Sequence, residues 1–126
     1  MRNVVLDCAE PRVLAEFYRA ALGWSYVGGH EDEDPAGDDW LQLRPPAAGP
    51  LLAFQRSDAP VTPWRVDARV HLDVTVPDLD LAHEHLVASG ARPLTDTPEK
   101  EGHPEDPFRV YADPAGHPFC VVASAG

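Results

Sequence analysis

The chain has 126 residues, 44% of them hydrophobic, and a formal net charge of -11 at pH 7. It is long enough for one domain with its own core and too short for two. The negative charge argues against nucleic acids and anionic membranes as partners, because both would repel the protein. No apolar run approaches the ~20 residues of a membrane span, and no secretory leader is predicted at the start. The charge therefore serves solubility or attracts a cationic ligand.

The first 24 residues predict a strand, a turn and a helix. Hydrophobic residues in the helical part recur at i, i+3, i+4, i+7 and i+8, the spacing of one helix face. They are Leu14, Phe17, Tyr18, Ala21 and Leu22. Gly23 supplies the stop.

The segment that follows predicts short strands separated by turns and a linker. The acidic run Glu31 to Asp34 is typical of a solvated loop tip. Strands are predicted at Trp24 to Val27, Trp40 to Arg44 and Leu51 to Arg56, with a loop from Gly28 to Asp39 and a linker from Ser57 to Asp67 that contains Trp64.

Arg69 to Ala91 repeats the strand, turn and helix of the start. Hydrophobic residues alternate along the predicted strand, so His71, Asp73 and Thr75 share its other face. Asp78 is placed to cap the helix and Gly90 to end it. The predicted apolar face of this helix consists of Leu79, Ala82, Leu86 and Val87.

Aligning the two repeats predicts two modules built alike. Setting Glu10 against Asp78 places Asn3 opposite His71 and Asp7 opposite Thr75. The second half continues with predicted strands at Ala91 to Leu94, Phe108 to Ala112 and Pro118 to Ala123, a loop from Thr95 to Asp106 and a turn from Asp113 to His117. Each half is then βαβββ: module 1 at about 1–56, a linker at about 57–67 and module 2 at about 68–126. This order predicts an α+β fold with mainly antiparallel sheets.

Chemical motifs are few. Cys8 and Cys120 lie in apolar, strand-like segments, which predicts buried reduced thiols in a cytoplasmic protein. His83 and His85 are two apart on a helix and do not face one another, so a solvated face is expected. The chain lacks the HExxH, glycine-rich phosphate-loop and Gly-x-Ser-x-Gly motifs.

Three segments in order resemble the vicinal oxygen chelate superfamily, which includes glyoxalase I, extradiol dioxygenases and bleomycin resistance proteins. They are AEFYRAALGW, VHLDVTVPDLD and YADPAGHPFCVV, and the resemblance covers nearly the whole chain. It is greatest for the glyoxalase-like subgroup. The resemblance implies two βαβββ modules that curl their sheets around a cup, and a homodimer.

The resemblance also implies where a metal would be held. Metal-dependent members use one side chain from the first and last strands of each module. Those positions fall on Asn3, near Gln55, on His71 and on Cys120. No carboxylate is among them, so no metal cofactor is expected. His71 is the one candidate ligand or general base, or else a cup-lining histidine that hydrogen-bonds Asp73 or a backbone group.

The cup implied by the resemblance would bind a small organic ligand. Its expected lining is Asn3, Asp7, Trp40, Gln55, His71, Asp73, Arg109, Tyr111 and Cys120. Aromatic walls with two carboxylates suit a ligand with a positive charge and a flat apolar part. Asp7 and Asp73 supply these two carboxylates, or else bond backbone groups at strand ends.

Three functional hypotheses follow. The first is a metal-independent binding protein similar to the bleomycin resistance proteins. The second is a metal-dependent lyase, isomerase or dioxygenase that uses His71. The third is a structural or regulatory module with a vestigial cup. Metal analysis separates the second from the others, and a ligand screen separates the first from the third.

Overall fold

The computed structural model describes residues 1–28, 30, 38–58, 71–94, 102–103 and 106–123. Two helices and nine strands are found in these residues. In chain order they are β1 (Asn3–Cys8), α1 (Pro11–Leu22), β2 (Ser25–Tyr26), β3 (Trp40–Arg44), β4 (Leu51–Arg56), β5 (Leu72–Val76), α2 (Leu79–Ser89), β6 (Arg92–Pro93), β7 (Gly102–His103), β8 (Asp106–Ala112) and β9 (Pro118–Ala123). The predicted α+β fold with two βαβββ modules is confirmed.

The chain divides into two compact units, Met1–Pro60 and Val61–Gly126, which we describe separately as module 1 and module 2. Most of the predicted linker, including Trp64, and the acidic run at 31–34 lie outside the described residues. Neither α1 nor α2, nor any other helix in the described part of the chain, has the length and apolarity that a membrane crossing requires.

Module 1 has a four-stranded sheet in the order β1-β4-β3-β2. β1 pairs with β4 in parallel, and the remaining pairs are antiparallel. β4 is therefore an interior strand, and three of its residues, Leu52, Ala53 and Phe54, are buried.

Helix α1 packs its apolar face against one face of this sheet. Its buried residues are Pro11, Leu14, Ala15, Phe17 and Tyr18. The Tyr18 ring stacks on Phe54 with centroids 5.9 Å apart and meets Phe17 edge-on at 4.9 Å. Gly23 ends the helix at φ 71°, a left-handed conformation that suits glycine. Because Phe54 faces α1, the alternate residues of the sheet face the other way.

Module 2 has the sheet order β5-β9-β8-β6, with β7 paired to β8. β5 pairs with β9 in parallel and β9 pairs with β8 antiparallel, so β9 is the interior strand. The short β7 lies in the stretch from Thr95 to Asp106 that the sequence predicted as loop.

Helix α2 is capped as predicted but packs less completely than predicted. The Asp78 carboxylate accepts hydrogen bonds from the backbone N–H groups of Asp80 and Leu81, and Gly90 ends the helix at φ 116°. Leu86 is its one buried residue. The predicted apolar face was wrong at Val87, which is 43% exposed.

Candidate functional site

Each sheet has one face toward its helix and one face away from it, which we call the distal face. Cross-strand partners share a face, so the strand register assigns every residue to one of the two. The distal face of module 1 includes Asn3, Val5, Asp7, Trp40, Gln42, Ala53 and Gln55. The distal face of module 2 includes His71, Asp73, Thr75, Phe108, Val110, Cys120 and Val122. Seven of the nine predicted site residues lie on these faces.

A row of three side chains crosses the distal face of module 1. Asp7 of β1 is the register partner of Gln55 on β4, and Gln55 is the partner of Trp40 on β3. Neighbouring strands are about 4.8 Å apart, so the carboxylate and the indole flank the amide across roughly 10 Å. Asp7 and Gln55 are exposed and Trp40 is half-buried. The row therefore combines a negative charge, a hydrogen-bonding amide and an aromatic surface.

An amide pair lies beside this row. The Gln42 Nε2 donates to the Asn3 Oδ1 at 3.4 Å. Gln42 was not among the predicted site residues, although its period-2 spacing from Trp40 on β3 places both on one face. The pair gives the distal face of module 1 a second polar element with no formal charge.

Arg12 of α1 contacts Asp38, His30 and Tyr26 beside this sheet, and we call this group the Arg12 clamp. The Arg12 guanidinium donates to both carboxylate oxygens of Asp38, at 2.7 and 3.1 Å, and to the His30 carbonyl at 2.7 Å. It also lies 5.1 Å from the centroid of the Tyr26 ring. The hydrogen bonds to Asp38 raise the pKa of Arg12. His30, so held, accepts a hydrogen bond at Nδ1 from the Gln42 backbone N–H at 3.1 Å.

Tyr26 and Glu16 carry shifted pKa values in the same region. Burial raises the pKa of Tyr26 to about 12, and its hydrogen bond to Glu16 adds to the shift. The hydrogen bond from Arg19 lowers the pKa of Glu16. Both groups therefore keep their usual charge state at neutral pH.

Three potential metal ligands meet on the distal face of module 2. His71 Nε2 lies 3.2 Å from Asp73 Oδ1, and one ligand atom from each of His71, Asp73 and Cys120 lies within 4.8 Å of the others. Asp73 and Cys120 are register partners on β5 and β9. The sequence placed these residues in one cup and offered Asp73 as one of the partners of His71, and the 3.2 Å contact agrees with that alternative.

The expectation that Arg109 and Tyr111 line the cup with His71 was wrong, because both face α2. Arg109 donates to the Leu79 carbonyl at 3.4 Å and to the Asp80 carboxylate at 2.9 Å. The Tyr111 hydroxyl lies 2.8 Å from His83 Nδ1 on the same helix, and burial raises the pKa of Tyr111. A long basic side chain and a phenol thus reach the helix.

The predicted solvated face of α2 was wrong at His83 as well. His83 is half-buried against Tyr111, with ring centroids 5.8 Å apart, whereas His85 is exposed. Adjacent positions on a helix turn by about 100°, so two histidines two apart reach different environments.

The turn before β9 is fixed by a buried carboxylate. Asp113 Oδ1 accepts from the backbone N–H groups of Ala115 and His117 at 2.9 and 3.0 Å. Asp113 is 4% exposed and Gly116 has φ 97°. This side chain, which had no predicted role, sets the start of β9 and hence the position of Cys120.

Residues 3–122 match the family model of the glyoxalase-like domain. The chain belongs to the glyoxalase-like domain family. The comparison with curated proteins gives no match. The resemblance to the glyoxalase superfamily read from the sequence is thereby confirmed.

Solved structures of several superfamily members share the fold of this glyoxalase-like domain. A glyoxalase/bleomycin resistance protein/dioxygenase family enzyme from Burkholderia phytofirmans PsJN has a TM-score of 0.71 at 15% identity, over 96% of this chain and 95% of that chain. A glyoxalase-related enzyme from Fulvimarina pelagi has 0.70 at 17%, over 98% and 87%. TnmS3, an antibiotic binding protein from Streptomyces sp. CB03234, has 0.64 at 16%, over 99% and 95%.

The four positions that hold a metal in metal-dependent superfamily members fit such an ion poorly in this glyoxalase-like domain. The module 1 positions offer only the amides of Asn3 and Gln55, and the Asn3 oxygen already accepts from Gln42. The module 2 positions offer His71 and Cys120. Without a carboxylate the set lacks the ligand that hard divalent cations prefer, so no reaction step is derived through an ion at these four positions.

Proposed function

We propose that this glyoxalase-like domain binds a small organic ligand that combines a positive charge with a flat apolar part. The row of Asp7, Gln55 and Trp40 on the distal face of module 1 carries the proposal. A carboxylate and an indole at the two ends of a polar row recognise two different parts of one ligand.

The energetics of the row favour a cationic aromatic ligand over a neutral one. Covering the Trp40 indole with a flat ring contributes about 25 cal/mol per Å² of apolar surface removed from water. The Asp7 carboxylate adds a charge-assisted hydrogen bond to a positive group, and the net charge of -11 raises the local concentration of cations. Gln55 lies between them and can donate or accept.

The comparison with TnmS3 supports ligand binding as the class of function. TnmS3 is an antibiotic binding protein with the same fold. The proposal for this chain is binding without chemical conversion, and it names the chemical class of the ligand but no particular compound.

A matched set of tricyclic probes tests the charge requirement. Calorimetric titration of the protein with 9-aminoacridine, acridine and acridine-9-carboxylate under mildly alkaline conditions compares a cation, a neutral ring and an anion of one shape. The cation is expected to bind most tightly, and salt should weaken its binding most. Equal affinity for all three would contradict the proposal.

Two variants locate the contact. Asp7→Asn should weaken binding of the cation by about 1–3 kcal/mol, roughly 5- to 150-fold. Trp40→Ala should weaken binding of every probe that still binds. Glu84→Gln makes the same change in net charge on the exposed surface of α2 and is the control. An equal loss in Glu84→Gln would show that the charge acts only at long range.

Recovery of the bound probe separates binding from catalysis. Chromatography of the probe after prolonged incubation should return it unchanged. A converted product would favour the competing hypothesis of a lyase, isomerase or dioxygenase.

We also propose that the protein is a cytoplasmic homodimer. β1 and β5 are edge strands of their own sheets, and exposed edges favour association with another chain. Cys8 and Cys120 are buried and form no disulfide, which suits a reducing compartment. Sedimentation at micromolar concentration should give the mass of two chains, and monomer alone would contradict the dimer.

A further inference from the structure

The distal face of module 2 brings three metal-binding side chains together within one unit. His71 precedes β5, Asp73 is two residues further on the same face, and Cys120 lies across the parallel pairing on β9. Their ligand atoms lie within 4.8 Å of one another, with Nε2 and Oδ1 of the first two 3.2 Å apart. Strand alternation and the Asp73–Cys120 register produce this arrangement.

The three residues differ in exposure in a way that suits ion binding. Cys120 is 5% exposed on the interior strand β9, between β5 and β8, so its Sγ is held in place. The side chains of His71 and Asp73 are 40% and 63% exposed. An ion can reach these two side chains from solvent.

We propose that His71, Asp73 and Cys120 bind a thiophilic divalent cation of the Zn²⁺ class. Zn²⁺ takes cysteine sulfur at about 2.3 Å and histidine nitrogen or carboxylate oxygen at about 2.0–2.2 Å in a tetrahedron, which sets ligand atoms roughly 3.3–3.8 Å apart. Separations from 3.2 Å to at most 4.8 Å need only small rotations of His71 and Asp73 to reach that geometry.

This ligand set differs from the four-position set of the metal-dependent superfamily members. It takes no residue from module 1, and its carboxylate comes from Asp73 inside β5 in place of the last strand. The sequence prediction of no metal depended on Cys120 standing where a carboxylate was expected. Asp73 restores a carboxylate from a position that the alignment to the family does not consider.

The chemistry of the set selects the class of ion. Ca²⁺ and Mg²⁺ take oxygen ligands, whereas the thiolate and the imidazole of this set prefer softer ions. Three protein ligands leave the fourth position of a tetrahedron for water or a small external ligand. The exposure of His71 and Asp73 places that position toward solvent.

Cobalt provides the direct test, because Co²⁺ reports its ligands optically. Protein stripped with chelator and titrated with Co²⁺ should show a thiolate-to-metal charge-transfer band and tetrahedral d–d bands that saturate at one ion per chain. One equivalent of Zn²⁺ should abolish both, and excess Mg²⁺ should leave them unchanged. Absence of saturable bands, or equal competition by Mg²⁺, would overturn the proposal.

Matched variants assign the ligands. Cys120→Ser should remove the charge-transfer band, and His71→Ala and Asp73→Asn should each weaken Co²⁺ binding more than tenfold. Cys8→Ser, at the other buried cysteine, and His85→Ala, at an exposed histidine of α2, should leave the titration unchanged. A band that persists in Cys120→Ser, or disappears equally in Cys8→Ser, contradicts the assignment. Asp73→Asn changes an exposed side chain, so it keeps the test valid if Cys120→Ser unfolds.

Discussion

The two modules share one order of elements but differ in how the helix is held. α1 begins at Pro11 without a side-chain cap and buries five residues against its sheet. α2 begins at Leu79, after Asp78 as a double cap, and buries one residue, Leu86. One helix therefore depends on packing and the other on local backbone hydrogen bonds and polar contacts to β8. Two modules with the same order of elements can therefore be stabilised by different interactions.

The distal faces differ in the same way. In the alignment of Glu10 with Asp78, Asn3 corresponds to His71, Val5 to Asp73 and Asp7 to Thr75. Module 1 carries its carboxylate beside an amide and an indole, whereas module 2 carries it beside an imidazole and a thiol. The alternation along each strand fixes the face to which these side chains point, whereas their chemical type differs between the two modules.

The largest expected difference is at one aligned helix position. Phe17→Ala should lower the free energy of unfolding by about 3–5 kcal/mol, because Phe17 is buried against Tyr18. The aligned change His85→Ala should cost about 0.5 kcal/mol or less, because His85 is exposed. Urea denaturation of each variant measures both values. Similar losses would break the contrast between the two helices.

The next largest expected difference in stability is between the ion pairs that the two helices make. Asp38→Asn removes the carboxylate from the Arg12 clamp, where both side chains are about 15% exposed, and should cost about 1.5–3 kcal/mol. Asp80→Asn weakens the pair with Arg109, but the Asp80 side chain is 88% exposed, so at most about 1 kcal/mol is expected. Thermal unfolding at low and high salt gives both numbers. Greater salt sensitivity of the first pair would contradict its burial.

The N-terminal caps of the two helices give a smaller expected difference in stability. Asp78→Ala should destabilise module 2 by about 1 kcal/mol, since it removes two hydrogen bonds to backbone N–H groups. Glu10→Ala, at the aligned position, should have almost no effect because Glu10 makes no side-chain cap bond. Hydrogen exchange in the first turn of each helix is the more specific readout. Faster exchange in α1 after Glu10→Ala would refute the assignment.

The last comparison concerns alkaline pH. The pKa of Tyr26 is raised from 10.0 to about 12, so the folded state holds this proton more tightly than the unfolded state. The stability it contributes is complete below pH 10 and is lost as the pH rises through 12. Absorbance titration of the wild type and Tyr26→Phe isolates this phenol. Ionisation of Tyr26 near its ordinary pKa would contradict the burial of this phenol.

Alternation and capping signals were enough to predict most of the fold. The bounds of β3, β4 and β9 coincide with the predicted strands, because hydrophobic period and flanking prolines or glycines mark them clearly. Asp78 and Gly90 were predicted as the cap and stop of α2 for the same reason. Each of these signals lies within a few neighbouring residues, so it can be recognised in the sequence alone.

The candidate site was predicted less completely because it depends on register. Alternation showed that Arg109 and Tyr111 share a face of their strand, but not that α2 covers that face. The Asp73–Cys120 pairing depends on how β5 and β9 align, which is a non-local property. His83 was missed because a polar residue facing a buried phenol has no distinctive sequence pattern.

The parallel pairing of first and last strands also bears on how the protein is made. In module 2, β5 and β8 do not pair with each other, because β9 lies between them and pairs with both. On the ribosome, most of the module must be synthesised before its central strand appears. Until then, both neighbours present unpaired backbone, so the interval before β9 emerges is the time when a chaperone or a wrong partner strand would compete for them.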